Sequence, residues 1–191
     1  MIDLTTLPIR LAPIMTDAGP VKIIRAHKKY APALAEAGKL AQPTVKPWMG
    51  TGLVPATLRN AEQTLDSLEQ QRRIGYGIVY LLIWDEQCLG MGLLNYIHPV
   101  HLNANLGLWL TPNARGKGLG ITLCRRLIEV AEETLKLNRL EFYTLPDNQP
   151  SIKLAEALGA RKEGLCKRRI FNQDALIYSL LLPATAKACN R

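Results

Sequence analysis

The chain has 191 residues, 48% hydrophobic and 21% charged, with a formal net charge of +8. That balance excludes a disordered polymer, no run reaches the roughly 18 apolar residues of a membrane-spanning helix, and MIDLTTLPIR lacks the cations and apolar stretch of a secretory leader. One cytoplasmic domain over residues 1–191 is expected, its positive charge favouring acidic partners such as a phosphorylated cofactor, RNA or an acidic peptide.

Residues 20–72 read as helical but interrupted. Pro32, Pro43 and Pro47 break VKIIRAHKKYAPALAEAGKLAQ and its continuation. ATLRNAEQTLDSLEQQRR then resumes the period behind Thr57 as a cap, with Leu58, Ala61, Leu65 and Leu68 on one face. The period changes at YGIVYLLIW (76–84) and CLGMGLLNYI (88–97), two strands bounded by D-E-Q, and ANLGLWL (104–110) is a third. Behind the turn A-R-G-K-G-L-G, Leu119, Leu123, Leu127, Val130 and Leu135 trace a helix face running to about Lys136. RLEFYTL (139–145) is the next strand, Pro150 opens the helix SIKLAEAL, and Gly159 ends it. Residues 163–171 and 174–182 form a closing hairpin, so the second half is a mixed α/β layout.

Cys88, Cys124, Cys166 and Cys189 are widely spaced without a C-x-x-C, which predicts reduced thiols and no structural zinc. His98 and His101 lack the Cys, Asp or Glu company of a metal site, and no metal is expected.

The glycine turn between a strand and a helix leaves the first N–H groups of that helix unpaired and free of side chains, which suits a phosphate. Arg115 and Lys117 add positive charge. A Walker loop would need G-x-x-x-x-G-K-[ST], and here Lys117 precedes Gly118. A dinucleotide fingerprint would need G-x-G-x-x-G early in a βαβ unit, and Gly116, Gly118 and Gly120 have the wrong spacing.

Arg115-Gly116-Lys117-Gly118-Leu119-Gly120 matches [QR]-x-x-G-x-[GA], the pyrophosphate loop of the GNAT acyltransferases, and the chain resembles that superfamily beyond the loop. GLWL (107–110) looks like the family's G-Y-W-L, and residues 137–164 look like its second cofactor segment. The likeness is densest over 76–182, the cofactor core, and weaker over 10–73, the acceptor side, where P-W-M (47–49) is still visible. Within the superfamily the chain is most similar to the bacterial ribosomal-protein serine/alanine N-terminal acetyltransferases. The resemblance implies a twisted mixed sheet flanked by helices, with central strands splayed to admit acetyl-CoA as cosubstrate. It implies pyrophosphate on the N–H groups of Arg115, Lys117, Gly118, Leu119 and Gly120, and the acyl arm along Leu108, Trp109 and Leu110. Asn148 and Ser151 match cofactor residues, Ser151 near the CoA sulfur as proton donor; D-N-Q-P-S is equally a helix cap.

Where many relatives carry an acid before the G-Y-W-L strand, this chain has Asn105, which cannot accept a proton and is left as an acceptor contact. His98, His101, Glu141 or relayed water remain as bases. At pH 7 an α-amine of pKa near 8 is neutral in about one molecule in ten, a lysine in well under one in a thousand. A weak base therefore favours a peptide or protein N-terminus, with Tyr30, Trp48 and Met49 as the acceptor wall. A small-molecule amine, or a non-catalytic acyl-CoA- or RNA-binding module, are the alternatives; thin aromatic content at 6% argues against nucleic acid. No membrane partner is expected, and a homodimer is left open.

Overall fold

The computed structural model describes residues 2–183, so Cys189 lies outside them. Arg10–Thr16 (β1) and Gly19–Arg25 (β2) form an antiparallel hairpin. The expected helix from residue 20 is corrected by this hairpin. Val21, Ile23 and Ile24 are β-branched and buried, β2 pairs along β3, and Thr16 Oγ1 donates to the Gly19 carbonyl at 2.6 Å to close the turn.

Ala31–Met49 forms one continuous helix, α1, which is the second correction. Pro32 lies in its first turn, where a missing N–H costs nothing, while Pro43 and Pro47 sit inside it. The face bearing Leu34, Ala37, Ala41 and Val45 is buried, and that packing outweighs the two lost backbone bonds. Leu58–Arg73 (α2) follows, capped as expected by Thr57 Oγ1, which accepts from the Asn60 N–H at 3.2 Å. Ala61, Leu65 and Leu68 are buried, whereas Leu58 is exposed.

Ile78–Trp84 (β3), Gln87–His98 (β4) and Asn103–Leu110 (β5) form a meander, followed by Leu119–Glu129 (α3). A π-helical turn, Val130–Thr134, ends that helical run short of Lys136, which has φ 54°. Arg139–Thr144 (β6), Gln149–Ala157 (α4), Arg161–Ile170 (β7) and Gln173–Leu181 (β8) complete the chain. The strands make one eight-stranded sheet in the order β1-β2-β3-β4-β5-β6-β8-β7, antiparallel except for β5 and β6. The continuous apolar run of β3 is explained by burial on both faces. Ile78, Tyr80 and Leu82 join the cluster of α3 and α4, and Val79, Leu81 and Ile83 join that of α1 and α2.

The parallel pair positions the site. β5 and β6 are in register only at Asn103 with Arg139, Ala104 with Leu140 and Asn105 with Glu141. Beyond that, β5 stays with β4 as far as Leu110 opposite Gly90, while β6 stays with β8 as far as Thr144 opposite Leu176. The sheet therefore opens into a V whose two arms are each held by an antiparallel neighbour.

Candidate active site

At the open end of the V, β5 runs through a short turn into the glycine loop and α3. Gly116 has φ 72° and Gly118, the N-cap of α3, φ 74°. A Cβ on either would meet no atom within 4 Å, so glycine is required there by backbone conformation, not by crowding. The first helical bond is that from the Thr122 N–H to the Gly118 carbonyl, at 3.2 Å. Among the described residues, the N–H groups of 116–121 have no acceptor, the kind of unpaired donors at a helix start that can hold an anion.

Two details of the loop differ from the sequence reading. The Arg115 N–H already donates to the Pro112 carbonyl at 3.2 Å, so it is not a free anion donor. Its guanidinium donates to the Leu110 carbonyl, at 3.0 Å from Nη2, and to Thr44 Oγ1 at 2.6 Å, clamping the loop to β5 and α1. Lys117 is exposed and lies outside the cleft lining.

The V holds a cleft of about 640 Å³ that begins at Gly116, Gly118, Leu119 and Gly120 and is walled by Leu108, Trp109 and Leu110 on the β5 arm. The indole of Trp109 is buried on the α1 side, where Nε1 donates to the Leu53 carbonyl at 2.8 Å. Asn148 and Ser151 line the opposite wall. Asn148 also caps α4, its Oδ1 accepting from the Ser151 N–H at 3.3 Å, so the capping reading holds and is compatible with a place on the cleft wall.

Toward the closed end the cleft is lined by Trp48, Met49, Asn95 and Asn105, and the Asn105 amide donates to Asn95 Oδ1 at 2.7 Å. Tyr30 is not there. It lines a separate groove beside Lys22 and Glu36, with Lys29 Nζ 5.0 Å from its ring centre. His98 is not there either. Its Nδ1 accepts from the N–H groups of Val100 at 3.3 Å and His101 at 3.0 Å, and its ring stacks on that of His101, which makes the pair a turn-forming element.

Glu141 stands behind the wall and not in it. Its carboxylate accepts from Arg139 Nε at 2.9 Å and from the Tyr143 hydroxyl at 2.8 Å, and it is Tyr143 that lines the cleft. Burial pushes the Tyr143 phenol above its usual pKa, and the bond to Glu141 adds to that. Arg169 lies with its guanidinium carbon 4.2 Å from the Tyr143 ring centre and 5.8 Å from that of Tyr96. Tyr96 sits at a break in the β4–β5 register between Asn95 and His98, with φ 53°. Phe171, at the β7–β8 turn, closes over the C-cap of α1: a methyl at Gly50 would lie 2.9 Å from its ring. Tyr96, Tyr143, Arg169 and Phe171 were not singled out as site residues in the sequence.

Residues 23–161 match the acetyltransferase (GNAT) domain. The chain belongs to the GNAT acetyltransferase family. The GNAT chain is 32% identical over 109 residues to YdaF of Bacillus subtilis, which is named as a candidate ribosomal N-acetyltransferase; the match covers 55% of this chain and 60% of YdaF. It is 25% identical over 134 residues to the ribosomal-protein-serine acetyltransferase of Escherichia coli K12, covering 68% of this chain and 75% of that protein. RimJ of Mycobacterium smegmatis, solved in complex with a CoA disulfide, superposes with a TM-score of 0.82 at 23% identity, covering 94% of this chain and 91% of RimJ. This likeness establishes the mixed-sheet fold.

Behind the GNAT cleft, Arg139 forms a bidentate pair with Glu163, which also accepts from the Ser179 hydroxyl. The guanidinium, with the hydroxyl second, holds the Glu163 carboxyl down at about 2, from an ordinary 4.5. A depressed carboxyl stabilises the fold fully above its unfolded pKa, and that contribution is lost as pH falls from 4.5 through about 2. Because Glu163 is partly exposed, solvent screening limits the pair to about 0.5 to 1 kcal/mol. Urea unfolding of Arg139→Gln is therefore expected to show a deficit of that size at pH 6 that vanishes near pH 2; a deficit unchanged across that range would exclude ionisation of Glu163 as its source.

Proposed function

We propose that this protein is an acetyl-CoA-dependent N-acetyltransferase acting on the terminal amine of a peptide or protein, of the ribosomal-protein type. The observation that carries the reading is the parting of β5 from β6 after Asn105 and Glu141, with the cleft leading to the unpaired N–H groups of 116–121. A diphosphate fits those donors, and a chain of amides fits the strand edge that β5 turns to the gap, as in strand addition. The names of the relatives, both concerned with ribosomal proteins, support the acceptor class. Free thiols at Cys88, Cys124 and Cys166 support a reducing compartment, the cytoplasm; no described helix is long and apolar enough to cross a membrane.

Acetyl-CoA supplies a thioester whose carbonyl carbon is attacked by the amine nitrogen as the carbon–sulfur bond breaks. Ser151 holds a proton where the leaving sulfur can take it, and the amine's proton leaves through Tyr143 toward Glu141 or through water. A thiolate is a good leaving group with a pKa near 8.5, so Ser151 contributes only modestly. Ser151→Ala is expected to lower kcat about tenfold with the KM for acetyl-CoA unchanged; a kcat equal to wild type would reduce Ser151 to a helix-capping position. The reading as a whole is tested by thiol release from acetyl-CoA with peptides beginning Ser, Ala, Thr or Met, beside a panel of small amines. Turnover of the small amines alone would reassign the acceptor, and absence of turnover with all of them would refute the enzyme.

A further inference from the structure

The charged residues lining the cleft, among those described, are Arg115 and Arg169. The first is consumed by its clamp on the Leu110 carbonyl and Thr44. Arg169 makes no ion pair among the described residues; it is held by the faces of Tyr143 and Tyr96, which orient a guanidinium without neutralising it. No carboxylate lines the cleft among these residues, since Glu141 is turned away to Arg139 and the Tyr143 hydroxyl. Arg169 also lies toward the closed end of the V. From Asn105 to Leu110, β5 spans about 17 Å at roughly 3.3 Å per residue, so the phosphate loop is remote from Tyr96.

We propose that Arg169 selects acceptors with a carboxylate in their first few residues, so that the enzyme prefers acidic N-terminal peptides over basic ones. This rests on the N-acetyltransferase reading above. Arginine binds a carboxylate through a planar fork, and the Tyr143 ring beside the Arg169 guanidinium leaves its charge without a carboxylate partner. The same positive charge disfavours a second one nearby, so it lowers the pKa of the incoming amine and raises its neutral, nucleophilic fraction. That effect is useful in a cleft lined by no acid. A polyamine or a cationic antibiotic would instead be repelled.

The test uses the full chain with peptides Ser-Glu-Glu-Gly, Ser-Gln-Gln-Gly and Ser-Lys-Lys-Gly, against wild type and Arg169→Glu. Binding to the CoA-loaded protein is measured by calorimetry and turnover by thiol release, both at low salt. Wild type is expected to bind the acidic peptide about tenfold more tightly than the basic one, with the difference in KM and not kcat, and raised salt should narrow it. Arg169→Glu should reverse the order. Equal binding of the three peptides by wild type, or an acidic preference that survives Arg169→Glu, overturns the assignment. Acidic preference in binding without turnover of any peptide would uphold Arg169 and refute the peptide-acceptor reading, whereas turnover indifferent to peptide charge would do the opposite.

Discussion

Gly118→Val is expected to weaken CoA binding by about 100-fold while leaving the protein folded. Gly118 holds φ 74°, a conformation that costs an L-residue roughly 1 to 2 kcal/mol and a β-branched one more. A valine relieves the strain by rotating its own peptide units, which swings the N–H groups of Gly118 and Leu119 off their common focus. Hydrogen bonds to a charged group contribute about 1.5 to 3 kcal/mol each, so misaiming two of them removes about 3 kcal/mol or more, a factor above 100. Nothing lies within 4 Å of the added Cβ, so the melting temperature should fall by only a few degrees. Calorimetry with CoA and a thermal melt separate the two effects. Unchanged affinity would remove the loop from the cofactor site.

The loop was legible because its signal is local: glycines at 116, 118 and 120 between an apolar strand and an amphipathic helix have few other uses. The meander, α4 with its Asn148 cap and the closing hairpin were legible for the same reason. Failures of two kinds separate the rest. V-K-I-I reads as helical because Arg25 to Tyr30 and the helix beyond it follow closely, and it is pairing with β1 and with β3, the latter distant in sequence, that makes residues 19–25 a strand. Pro43 and Pro47 read as breaks because the burial that outweighs them comes from α2 and the sheet. Trp48, Met49 and Asn105 line the cleft, but Tyr30 and His98 do not, since proximity along the chain says little about which side of an element faces the cleft. Tyr143 carried a usable signal: alternation along β6 puts it on the same face as Glu141. Arg169 carried none, because one cation in K-R-R is indistinguishable from a solvated surface until its aromatic neighbours from β4 and β6 are in place.

Replacing Glu141 by Gln is expected to lower kcat/KM about tenfold at pH 7 and less than about twofold at pH 9.5. The pH contrast follows from the acceptor. An α-amine of pKa near 8 is about nine-tenths protonated at pH 7 and almost wholly neutral at pH 9.5, so an acceptor that strips the ammonium before attack matters on the acid side, while at pH 9.5 solvent base takes the one proton the nitrogen sheds after attack. Glu141 reaches the cleft through the Tyr143 hydroxyl, which can receive a proton on its oxygen as it passes its own to the carboxylate. Glutamine keeps the shape and an acceptor for Arg139, whose other partner, Glu163, is untouched, so the fold should survive. Tyr143→Phe breaks the same route at its other end and should show the same contrast. If both variants lose rate evenly across pH, the pair merely shapes the wall and supports Arg169; if neither loses rate, water alone carries the proton, and the absence of an acid at Asn105 has no substitute in the fold.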